Sequence, residues 1–145
     1  MLTSSVLTSC IAIIQDGMDQ SKLKLPRTGV RSAKLFTRLF RPQLHLVVTW
    51  LHGHMLHYFI SDADLKKDSE TSIVTLSRCL SRLYNNMGKL PVGMVLQQDN
   101  TYREGKNRWV LGFLCLLVCL RVFRYTVAGF LRPGHSNLNL LQNHC

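Results

Sequence analysis

Apolar residues gather in five short stretches, 6–15, 45–53, 55–62, 91–98 and 122–131, rich in β-branched and aromatic side chains. Each is bounded by Asp, Gly or Pro, so each predicts a β-strand. The HGH at 52–54 separates the second and third and predicts a hairpin. The period then changes. Ile73, Leu76, Leu80, Leu83 and Met87 recur at steps of three and four, which places them on one helical face. Asp68 or Ser69 can cap the start of that helix and Gly88 can end it. A second helix is predicted over the apolar run WVLGFLCLLVCL at 109–120, with TYRE at 101–104 supplying capping-box spacing. That run is read as a helix buried on most sides. The order is three strands, a helix, a strand, a helix and a strand. The expectation is an α/β mixed sheet, in one domain over 1–145.

The apolar runs share one feature at their ends. All eight acids of the chain sit where a run stops: Asp16 and Asp19 after the first, Asp62, Asp64, Asp68 and Glu70 after the third, Asp99 and Glu104 after the fourth. If a helical crossover returns the fourth strand to lie beside the first, those two strands are parallel neighbours, and Asp16 and Asp99 end them together. Neighbouring strands lie about 4.8 Å apart, close enough for two carboxylates to share divalent ions. Oxygen ligands of this kind suit Mg2+ or Mn2+, and paired ions suit phosphodiester chemistry. The plainer reading is local: Asp16 before Gly17, and Asp99 before Asn100, are also what turns and helix caps select.

Charge strengthens the first reading. The chain carries eighteen Lys and Arg against eight acids, a formal charge of +10, which favours a polyanionic partner. Seven cations and no acid fall within residues 20–44, a basic insertion between the first two strands. There Arg31, Lys34, Arg38 and Arg41 step by three and four opposite Leu35, Phe36, Leu39 and Phe40, the spacing of a basic amphipathic helix. With Lys22, Lys24, Arg103, Lys106 and Arg108 these are the candidate nucleic-acid contacts, DNA being placed ahead of RNA. Five cysteines without a CxxC pair indicate reduced, mostly buried thiols rather than a disulfide framework or a zinc site. Two arginines, Arg121 and Arg124, interrupt the longest apolar stretch, so a membrane span is not expected, and the location expected is intracellular, the nucleus included. His52 and His54 would share a strand face, but the hairpin already accounts for their spacing.

The segments QDGMDQSKLKLPR, DADLKKDS, QQDNTYREGKN and FLRPGH, in this order, resemble a transposase-derived domain of eukaryotic mobile elements, over about residues 11–135. The resemblance implies a ribonuclease-H-like fold of the integrase kind, with two aspartates and a third acid binding metal. Asp16 then corresponds to the first acid, with Asp19 its rival, and Asp99 to the second. His135 would lie at the strand end nearest the centre, as an accessory group. The third acid is where the chain departs from the pattern, because no Asp or Glu follows Glu104. The stretch 136–145 reads as a degenerate tail, the closing helix is expected to be missing, and the chain reads as a fragment with an impaired centre. Two other readings stand beside this one: a non-catalytic basic protein that binds nucleic acid, and a small membrane-associated protein built on 109–131.

Overall fold

The computed structural model describes residues 10–18, 44–62, 64, 68–99 and 107–130. Among these residues five strands and two helices follow in the expected order: β1 (Cys10–Gly17), β2 (Leu44–Leu51), β3 (Met55–Asp62), α1 (Ser69–Met87), β4 (Gly93–Gln98), α2 (Arg108–Cys119) and β5 (Tyr125–Phe130). They form one sheet in the order β3-β2-β1-β4-β5. The first three strands are an antiparallel meander, while β4 and β5 pair parallel with β1 and β4 respectively. This is a ribonuclease-H-like topology, and it confirms the α/β mixed sheet that the strand and helix periods predict.

Alternation along the strands sorts their side chains to two faces. Ile11 and Ile13 of β1, Leu51 of β2, and Met94 and Leu96 of β4 point to one face, in register across the sheet. On it lie Leu76, Cys79, Leu80 and Leu83 of α1, Val110, Leu114 and Leu117 of α2, and Phe123, completing a single core. Both helices therefore cover the same face. The other face carries Leu56, Tyr58 and Ile60 of β3 and Tyr125 and Val127 of β5, all exposed.

Local chemistry sets the ends of α1. The Asp68 carboxylate accepts from the backbone N–H groups of Glu70 (3.0 Å) and Thr71 (3.3 Å), a cap worth about 1 kcal/mol. Gly88, at φ 70°, closes the other end through its N–H to the Tyr84 carbonyl at 2.7 Å. The β2–β3 hairpin turns through His52, Gly53 and His54, with Gly53 at φ 78°. His52 and His54 thus form the turn itself and do not share a strand face.

α2 departs from expectation in three ways. Asn107 caps it, its side-chain oxygen accepting from Trp109 (3.0 Å) and Val110 (3.1 Å); the TYRE motif lies outside the described residues. It buries Val110, Leu114 and Leu117 but exposes Trp109, Leu111, Leu116 and Leu120, so it is not buried on most sides. With only one layer beneath it, a helix apolar all round can bury just one stripe. The same geometry corrects the cysteines. Cys79 is buried, and burial pushes its thiol up to about 11, whereas Cys115 and Cys119 are exposed and Cys10 is half-buried. Beyond α2 the chain reverses at Arg121, φ 58°, with the N–H groups of Arg121 and Val122 donating to Val118 and Leu117 carbonyls at 2.9 Å each. That pair of bonds is a Schellman motif carrying arginine where glycine is usual.

Candidate metal and nucleic-acid interface at one end of the sheet

The parallel pairing of β1 with β4 ends on Gln15 opposite Gln98. The next residues are Asp16, still within β1, and Asp99, one step beyond β4; both are exposed. The two aspartates therefore finish adjacent strands side by side, at the strand spacing of about 4.8 Å. Gln15 and Gln98 point to the helix-covered face, and alternation within β1 sends Asp16 toward the other.

Beneath the aspartates the two glutamines form a buried polar cluster. Gln98 Nε2 donates to Gln15 Oε1 at 2.5 Å. Gln15 Nε2 donates to Thr75 Oγ1 at 2.5 Å and reaches Thr49 Oγ1 at 3.5 Å. The Thr75 hydroxyl in turn donates to the Thr71 carbonyl at 2.9 Å, tying the strand ends to α1. Gln98 Oε1 is buried, and among the described residues it has no hydrogen-bond partner. Sequence reasoning missed this cluster. Its signal is the Gln-Asp pair that ends both IIQD and LQQD, which the register then sets side by side.

Charge is divided unevenly over the molecule. The described residues hold six acids (Asp16, Asp62, Asp64, Asp68, Glu70 and Asp99) and six cations (Arg78, Arg82, Lys89, Arg108, Arg121 and Arg124), so they are formally neutral. Of the chain's eighteen Lys and Arg and eight acids, twelve cations and two acids remain, and these carry the whole charge of +10. All the cations among them lie in 19–43, 65–67, 100–106 and 131–145, whereas 1–9 has no charged side chain. The strand directions fix where those segments attach: β1, β3, β4 and β5 end, and β2 begins, at the Asp16 and Asp99 end. Every basic segment thus leaves or enters the sheet at the end that carries the aspartate pair.

Among the predicted contacts, Arg108 is described. It opens α2 at this same end, exposed, with its guanidinium 4.8 Å from the Trp109 ring centroid. Asp19, Lys22, Lys24, Arg31, Lys34, Arg38, Arg41, Arg103, Lys106 and His135 lie outside the described residues, as do the basic amphipathic stretch and the tail. Among the described residues no group of three His, Cys, Asp or Glu side chains could hold a metal ion, and no helix is long and apolar enough to cross a membrane.

The sequence profile of a domain of unknown function, DUF7869, matches residues 37–142. The chain belongs to this family. The match takes in β2 to β5, both helices and Asp99, while β1 with Asp16 precedes it. No curated protein matches the chain.

Proposed function

We propose that this DUF7869 domain is a transposase- or integrase-like nucleic-acid-binding module that keeps a two-aspartate site for Mg2+ or Mn2+ and has lost efficient strand cleavage. One observation carries the reading: the parallel β1–β4 register ends on Gln15 opposite Gln98, so Asp16 and Asp99 come next along adjacent chain segments, at the same end of the sheet from which every basic segment departs. A polyanion drawn to those segments brings its phosphates to the carboxylates. Hard oxygen donors fit Mg2+ or Mn2+, which bind through one or two carboxylates together with phosphate oxygens. The protein's own part is to hold the backbone with Lys and Arg and to fix two carboxylates on rigid strand ends.

Charge also argues against cutting. Two divalent ions bring four positive charges, and Asp16 and Asp99 offset only two. Residues 105–145 contain no Asp or Glu, so none of them supplies a third carboxylate, and Asn139 offers a neutral carbonyl at best. An ion misplaced by about 1 Å can cost about 100-fold in rate.

The test combines three measurements on the full chain. Duplex DNA binding followed by anisotropy should weaken with salt along a log–log slope of about −4 to −5 if five phosphates are neutralised. Changing Arg31, Lys34, Arg38 and Arg41 together to Ala should flatten it. Calorimetric titration with Mn2+ should lose affinity in Asp16→Asn and in Asp99→Asn while DNA binding in EDTA stays unchanged. Labelled DNA and RNA should survive incubation with Mg2+ and Mn2+. A salt slope near zero overturns nucleic-acid binding. Metal affinity unaffected by either substitution leaves the competing reading, a basic binding protein whose aspartates serve turns and caps. Cleavage lost in both variants would show that the third ligand lies elsewhere.

A further inference from the structure

Sheet edges are places where chains meet, and the two edges here differ. β5 is six residues long, follows Arg124 and contains Gly129. β3 is eight residues long and pairs with β2 along its whole length, from Leu44 opposite Asp62 to Leu51 opposite Met55. Its other side is the end of the sheet order. From residue 55 to 61 it has no Lys, Arg, Pro or Gly, the residues that usually protect an edge from pairing. Leu56, Tyr58 and Ile60 stand on it 48%, 62% and 65% exposed, which for three consecutive same-face positions is an uncovered apolar row.

We propose that the chain forms a two-fold dimer in which β3 pairs antiparallel with β3 of a second copy, centred on Tyr58. The partner is named by self-complementarity. A two-fold axis normal to the sheet keeps side chains on their faces and sets Tyr58 opposite Tyr58, Leu56 opposite Ile60, and the turn residue His54 opposite Asp62. The exposed apolar row meets itself, and each carboxylate meets an imidazole that can donate to it. Neighbouring registers lose this match. Centring on Phe59 opposes Leu56 to Asp62, and centring on His57 opposes Ile60 to His54. Electrostatics permits the approach, because the described body is formally neutral and the antiparallel arrangement sends the two basic, aspartate-bearing ends in opposite directions. The product is a ten-stranded sheet with the helices of both copies on one side.

Sedimentation velocity of the full chain over a range of concentrations, in moderate salt without nucleic acid, reads the association. The wild type should pass from monomer to dimer as concentration rises. Tyr58→Lys and Tyr58→Glu each set two like charges directly opposite one another, and each should weaken dimerisation by at least about tenfold. An equal mixture of those two variants should regain the dimer, because opposite charges then face each other. Far-ultraviolet dichroism of each variant should match the wild type, since Tyr58 is exposed. A wild type that stays monomeric overturns the proposal. So do single variants that dimerise undiminished, a mixture of folded variants that does not associate, and association abolished by Leu116→Lys with Leu120→Lys on α2 but not by Tyr58→Lys.

Discussion

At the ends of β1 and β4, buried amides and exposed carboxylates stand a single residue apart along the chain. Gln15 and Gln98 are 5% exposed under α1 and bonded to one another, Gln15 also to Thr75, whereas Asp16 and Asp99 are exposed. The difference follows from the cost of burial. A neutral amide can be taken out of water if it is hydrogen-bonded, but an ionised carboxylate without a partner charge cannot be, short of several kcal/mol. The buried side of the strand ends is thus held by neutral groups, and the charged ones sit where water reaches them.

The contrast can be broken most directly in the core. Ile13 is fully buried on the covered face and Ile14 half-buried on the other. Ile13→Ala should cost about 4 kcal/mol in urea unfolding and Ile14→Ala at least about 2 kcal/mol less. Equal losses would mean that the second face is also a core. A carboxylate moved to the amide side comes next. Gln98→Glu should cost about 3 kcal/mol at pH 8, while Asp16→Asn changes stability by less than about 0.5 kcal/mol. The Gln98→Glu loss should shrink as pH falls, because burial raises the carboxyl pKa and the protonated acid can donate to Gln15 Oε1.

A smaller effect separates the two helices that cover the core. α1 ends on Gly88 and α2 on Arg121, both in the left-handed region. Arg121→Gly should stabilise by about 1 kcal/mol and Gly88→Ala should destabilise by about as much, read as opposite shifts in melting temperature. The smallest expected effect lies at the rim of the covered face. Burial, and then Arg82, holds His57 below the ordinary imidazole pKa of 6.5. The unfolded chain therefore binds the proton more readily, so this contribution to stability is present above pH 6.5 and is lost as pH falls from 6.5 through the lowered value. His57→Gln should flatten the stability curve in that window.

Much of the fold was legible in the pattern of apolar positions. The seven elements, the Asp68 cap, the Gly88 stop and the turn at 52–54 are local properties, set by backbone geometry within a few residues. The aspartates at the strand ends were legible too. Their neighbours were not: the Gln15–Gln98 bond joins residues 83 apart, and only the register of β1 against β4 makes it. The cap of α2 was misplaced because two capping-competent stretches, TYRE and Asn107, precede the same apolar run, and it is the Asn107 side chain that accepts from the Trp109 and Val110 N–H groups.

The sequence alone determined the alternation of strand and helix, the total charge and the residue types at each strand end, because these depend on composition and on neighbours along the chain. Tertiary structure decided which face of the sheet both helices occupy, and with it that Trp109, Leu111 and Leu116 of α2 stay exposed. It also decided that the segments carrying the excess charge attach at one end of the sheet, the end where Asp16 and Asp99 lie. The physical reason is common to these cases. Burial and proximity are set by what packs across the sheet, and strand direction and register, which arise only when distant segments pair, determine which residues become neighbours.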